Sequence, residues 1–340
     1  MLAAIKAELS LRQSYLEGMV HTIYFGGGTP SILDKRELAD LLRACYDLFD
    51  ISDTAEITME ANPDDLSPTR LAEFDDLGIN RLSIGVQSFD PEVLQFLNRA
   101  HNQSQAVACI KNARQAAFDN ISVDLIYGIP GRSHKQWRTD IRQLLALNPE
   151  HISAYSLTIE PDTAFGRWHE KGKLTPVSDD YAAEQFLILV EELEKYGYEQ
   201  YEVSNFCRDA FYSRHNTSYW QQQPYLGIGP SAHSYNLVSR QFNVSNNAQY
   251  IRAINAHEIP ATVEVLSDND KVNDYLLTTL RTKWGANLNQ LNLYNKLDMT
   301  YISQLIDQQL ATLDHDHLIL TRQGRLLADK ISSDLFILDA

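Results

Sequence analysis

Along its first two thirds the chain alternates between the hydrophobic spacing of strands and that of helices. Residues 21–25 are a short run rich in β-branched and aromatic side chains, which predicts a buried strand. Beyond it Leu38, Leu41, Leu42, Cys45, Leu48 and Phe49 fall on one face of a helix over residues 34–49. The alternation continues with a strand at 55–62, stopped by Pro63, and a helix opened by the Ser67-Pro68 pair. A strand at 81–88 precedes a helix opening at Asp90-Pro91 and another at 104–118. Strands at 121–127 and 151–157 flank a helix at 137–147. A long helix over 179–196 leads to a last strand at 200–206. Ahead of everything, residues 1–17 place Leu2, Ile5, Leu9 and Leu16 on one side of a helix with no strand before it.

Regular strand–helix alternation predicts parallel strands joined by right-handed crossovers, as a barrel or an open sheet. From Ala261 the pattern changes. Amphipathic helices are expected at 270–283 and 302–313, then a strand at 317–321 and a final helix after Gly324-Arg325. This is the layout of a winged-helix-like cap. Three segments are therefore expected: a barrel over 1–206, a connecting segment over 207–260 and the cap over 261–340.

The composition narrows the partners. With 340 residues and 44% apolar side chains, the chain can bury a large core. A formal net charge of −16 argues against nucleic acid or an anionic membrane as the main partner. No apolar run approaches the roughly 20 residues of a membrane span. Lys6, Glu8, Arg12 and Glu17 run through the N-terminal helix, unlike a secretory signal. A cytoplasmic protein is expected. The three cysteines, Cys45, Cys109 and Cys207, are far apart, with no CxxC or CxxxCxxC spacing, and read as small core residues.

Candidate chemistry gathers where strands end. Gly26-Gly27-Gly28-Thr29-Pro30 follows the first strand and bares its backbone just ahead of a helix. It has neither the glycine spacing of a dinucleotide fingerprint nor the lysine of a P-loop. Gly28-Thr29, Glu60, Gln87, Asp124 and Ser156 are read near the carboxyl ends of successive strands, where barrels and doubly wound sheets place their sites. Five polar residues at one level predict a binding pocket. An acid/base pair of Glu60 and Asp124 in an unrelated barrel enzyme remains an open reading of the same residues.

The ordered series YFGGGTPS, TMEANPDD, RLSIGVQSFD, LNRAH, VDLIYGIPG and HISAYSL resembles the radical S-adenosylmethionine (SAM) family of oxygen-independent coproporphyrinogen III oxidases and their haem-chaperone relatives. The resemblance implies an α/β fold. Its main part would be a partial (β/α)6-type radical SAM barrel lacking its first strand, followed by a small, mainly helical winged-helix-like C-terminal domain. It implies SAM bound by Gly27, Gly28, Thr29, Glu60, Gln87, Arg99 and Asp124. It also implies a [4Fe–4S] cluster held by a CxxxCxxC loop after the first barrel strand, and no such spacing is present here. The expectation is an N-terminally truncated form, inactive in radical chemistry, that keeps the SAM pocket without a metal site.

A second signal, His215-Asn216-Thr217-Ser218-Tyr219-Trp220, matches the HNxxYW motif of the haem-chaperone branch. The match makes His215 a candidate haem ligand, ahead of His233 in the Gly-rich Leu226–Tyr235 loop. The implied function is binding haem and delivering it to target proteins, respiratory ones among them. Membrane association would be peripheral and through a partner, and no nucleic acid is expected. The alternative is a porphyrinogen oxidase of the same family.

Overall fold

The computed structural model describes residues 1–338. Seven strands form one sheet: β1 (Val20–Phe25), β2 (Ile51–Ala61), β3 (Arg81–Gln87), β4 (Ile121–Tyr127), β5 (His151–Ser156), β6 (Glu199–Glu202) and β7 (Asn205–Cys207). Their order is β1-β2-β3-β4-β5-β7-β6. The pairs from β2 to β5 are parallel, with helices between them, as the alternation predicts. Side chains cap these helices. Asp34 and Glu37 form a capping box on Lys35–Leu48, Asn102 and Gln105 another on Gln103–Gln115, and Ser67 caps Pro68–Asp76.

The last strands depart from expectation. Residues 200–206 are not one parallel strand but a hairpin, and β7 runs antiparallel to both β5 and β6. Glu202 makes the turn. Its buried carboxylate accepts the Ser204 N–H at 2.9 Å and the Asn205 side-chain amide at 2.6 Å, folding the chain back within two residues.

By contacts the chain forms two compact units. One comprises Tyr24–Leu33 and Glu56–Tyr212. The other comprises Met1–Ile23, Asp34–Ala55 and the chain from Ser213 onward. In this second unit β8 (His233–Tyr235), β9 (Ser239–Asn243) and β10 (Ala261–Val265) make an antiparallel sheet. A further one contains β11 (Ala286–Asn287), β12 (Ala311–Asp314) and β13 (His317–Leu320). The helices Asp268–Thr279 and Met299–Asp307 accompany this last sheet. The expected helix at 302–313 stops at Asp307, because Gln309 takes φ 58° and turns the chain into β12.

The N-terminal helix also stops early, at Leu11, and its polar side explains why. Glu8 is fully buried. It accepts the Gly229 N–H at 2.8 Å, the Asn243 amide at 2.7 Å and the Tyr250 hydroxyl at 2.6 Å, with the Arg12 guanidinium at 3.4 Å. Arg12 in turn donates to Gln241 at 2.6 Å, so residue 12 serves this network at the helix end.

Candidate functional site

The register of the large sheet sorts its side chains by polarity. Glu60, Ser83, Ser122, His151 and Cys207 lie opposite one another in a row across five strands. Two residues further along β4, β5 and back along β7, Asp124, Ser153 and Asn205 form the next row. Thr58 and Arg81 form the row before. Side chains alternate along a strand, so these residues share one face. The intervening Met59, Leu82, Val123, Ile152 and Phe206 are fully buried on the other. Parallel strands covered on both faces are ordinarily apolar throughout. Here one face instead carries polar and ionisable side chains, most of them buried.

The glycine turn sits at one end of that face. A Cβ on Gly26 would lie 2.6 Å from the Tyr24 ring and 3.0 Å from the Glu60 carboxyl carbon, so only glycine fits. Gly27 and Gly28 take φ of 73° and 62°. Glu60 holds the turn, accepting the Gly27 N–H at 3.0 Å and the Tyr24 hydroxyl at 2.6 Å. Thr29 leads directly into the short helix Pro30–Ile32.

Gln87 ends β3 at a register break, with φ 69° in the left-handed region that non-glycine residues avoid. His101 and Asp140, neither of them a site candidate from the sequence, surround this strained residue together with the candidate Arg99. His101 donates its Nε2–H to the Val86 carbonyl at 3.0 Å. Buried Asp140 accepts the Ser88 hydroxyl and, at 3.1 Å, the Phe89 N–H. Arg99 donates to Asn62 at 2.7 Å and to the Gly85 carbonyl at 2.8 Å, while its buried Nε has no partner.

Asp124 stands in the middle of β4 rather than at its end. Burial, then the charge of Glu60, pushes its carboxyl up to about 7, against the pull of Arg81, Ser153 and Arg99. His151 is buried between Ser122, 2.8 Å from Nδ1, and the Tyr201 hydroxyl, 2.7 Å from Nε2. Burial and the Arg81 charge hold this imidazole well below its usual range, and therefore neutral. Ser156 ends β5, with its hydroxyl close to Gly128. The strict alternation of Glu56, Thr58 and Glu60, or of Ser122 and Asp124, is the sequence signal of a polar face within each strand, and the register joins these into one.

In the other unit the HNxxYW segment forms the helix Arg214–Trp220, capped by Ser213. Both ring nitrogens of His215 are engaged. Nδ1 lies 2.8 Å from the Thr22 hydroxyl and Nε2 lies 2.7 Å from the Tyr219 hydroxyl. The rings of His215, Tyr219, Tyr225 and Tyr235 follow one another at 4.9, 4.5 and 6.2 Å between centroids.

The fold is of the radical SAM type. Residues 5–144 match the model of the Radical SAM superfamily. The fold is that of the coproporphyrinogen III oxidase HemN from Escherichia coli, described as a radical SAM enzyme. The likeness covers 98% of this chain and 81% of that one, with a TM-score of 0.81 at 23% identity. In sequence the chain is 33% identical to the heme chaperone HemW of Lactococcus lactis, over 99% of this chain and 90% of that protein. It is 35% identical to the heme chaperone HemW of Bacillus subtilis, over 91% of this chain and 84% of the relative. The chain belongs to the HemW family of radical SAM proteins.

Membership in that family implies SAM and a [4Fe–4S] cluster. The thiols present do not fit the cluster. Cys45 lies on the helix Lys35–Leu48, Cys109 on Gln103–Gln115 and Cys207 on β7, the last two buried. Burial pushes the Cys45 thiol up to about 11 and the Cys109 thiol up to about 12, whereas cluster ligands must be thiolates. Among the described residues no three His, Cys, Asp or Glu side chains gather as a metal site. Given iron and sulfide anaerobically, the chain is expected to show no EPR signal of a reduced [4Fe–4S] cluster. A stoichiometric signal would mean that these thiols converge after all. Among the described residues no helix is long and apolar enough to cross a membrane.

Proposed function

We propose that this chain binds haem and hands it to acceptor proteins, with SAM held on the polar face of the large sheet. The observation that carries the proposal is similarity along nearly the whole chain to relatives named as heme chaperones. The cluster of aromatic rings beside His215 supports it, since aromatic side chains suit a porphyrin. A net charge of −16 argues against nucleic acid as the main partner.

SAM pairs a zwitterionic amino acid with a sulfonium, a ribose and an adenine, and when bound would supply an electrophilic sulfonium carbon. The residues suit its parts. The unpartnered Arg99 Nε offers a donor to a carboxylate, and Glu60 and Asp124 offer acceptors to an ammonium or ribose hydroxyls. The open backbone of Gly27 and Gly28, with Thr29 and the Gln87 amide, offers close neutral contacts. The competing reading is a porphyrinogen oxidase of the same superfamily, against which stands the similarity along nearly the whole chain to relatives named as heme chaperones.

Titrating purified chain with hemin and following the Soret band tests the haem reading. One-to-one, saturable binding is expected. A Soret change that grows without saturation would contradict a defined site.

A further inference from the structure

We infer that His233, and not His215, is the imidazole that meets haem iron, on an open sheet face it shares with Phe242. The inference rests on the haem reading above and assigns its ligand.

His215 is already committed. An iron bound at either nitrogen would displace the Thr22 or the Tyr219 hydroxyl. Tyr219 could not compensate by ionising, because burial raises its phenol far above the ordinary range.

His233 is placed differently. It is exposed, and among the described residues neither of its ring nitrogens is hydrogen-bonded. Its one ring neighbour is Phe242, 5.9 Å away between centroids and tilted by 33°, itself 41% exposed. In the register of the sheet, His233 lies opposite Phe242, and Phe242 opposite the exposed Thr262. These three side chains therefore form a row on one face. On the far flank the chain at Gly227 runs so close that a Cβ there would lie 2.1 Å from the His233 carbonyl oxygen. At that position the neighbouring chain therefore places no side chain beside His233.

The next row on the same face is Tyr235, Arg240 and Glu264. The buried Tyr235 packs toward Tyr225 and, through it, Tyr219, so the face leads into the cluster of aromatic rings at the HNxxYW helix. The platform is fixed by its ladders and by the Asn243 N–H on the Ala232 carbonyl at 2.9 Å. An accessible nitrogen lone pair beside a flat ring supplies what an iron porphyrin needs: an axial donor and a surface for the macrocycle. An open face also suits a cargo that must leave.

Hemin titrations of wild type, His233→Ala and His215→Ala separate the alternatives. His233→Ala is expected to bind about tenfold or more weakly, since even second-sphere partners of metal ligands are worth that much. It should lose the imidazole-ligated Soret and EPR signature, and added free imidazole should restore both. His215→Ala should keep the wild-type spectrum. An unchanged spectrum and affinity in His233→Ala, or loss only in His215→Ala, would overturn the assignment while leaving the haem reading intact. Wild type without saturable binding would overturn the haem reading and this assignment with it.

Discussion

Asp124→Asn is expected to weaken SAM binding by roughly ten- to a hundredfold, the worth of one charge-assisted hydrogen bond, yet to raise the melting temperature above neutral pH. The two effects share one cause. Asp124 is buried beside Glu60, and its carboxyl is raised to about 7 from an ordinary value near 4. A raised carboxyl favours the fold while protonated, so its contribution is full at low pH and lost as pH rises from about 4 through about 7. Asparagine mimics the protonated form at every pH. The variant should match wild type near pH 4 and exceed it by several degrees at pH 8. Wild-type SAM affinity should rise between pH 6 and 8 as the carboxylate forms, and that rise should vanish in the variant. Calorimetry across this range reads both. Wild-type affinity in Asp124→Asn, or a lower melting temperature at pH 8, would mean that the carboxylate serves the fold rather than a ligand.

Glu8→Ala is expected to cost about 3–5 kcal/mol of stability, the usual consequence of removing one partner from a buried ion pair. Arg12, 4% exposed, would keep its charge with the neutral Gln241 and the Tyr15 ring beside it. The Gly229 N–H, the Asn243 amide and the Tyr250 hydroxyl would lose their acceptor in the same step. Glu8→Met with Arg12→Met should recover the ion-pair part of the loss but not the remainder. Denaturant midpoints of the single and double variants measure this. A loss below about 1 kcal/mol in Glu8→Ala would show that water replaces the carboxylate and that the network is open to solvent.

These two residues also mark where sequence reading reached its limit. Strand and helix positions were legible because they rest on neighbours: the hydrophobic period, Ser-Pro pairs and side-chain caps. The turn at Gly26–Gly28 and the residues Glu60, Gln87 and Asp124 stood out as candidates because glycines and ionisable or amide side chains are uncommon within buried strands. What stayed hidden depends on distant partners. Glu8 looks like one more charge on an amphipathic helix until it meets donors 221 to 242 residues away. His215 looks like an available ligand until Thr22, 193 residues earlier, takes one nitrogen. The polar face was half visible. Its strand ends were read, but the alternation of Thr58, Ser83, Ser122, His151 and Ser153 shows its meaning only once the register aligns them. The reversal of β7 depends on a side-chain turn at Glu202 that no periodicity encodes.

Haem transfer tests most directly whether haem is cargo rather than a resident group. The chain would be loaded with one equivalent of hemin, freed of excess, and mixed with an excess of apomyoglobin while the Soret band is followed. Complete movement of haem to the acceptor is the predicted result, because an exposed imidazole on an open sheet face holds the porphyrin from one side only. Haem that stays with the chain through prolonged incubation would mark a resident group and contradict delivery.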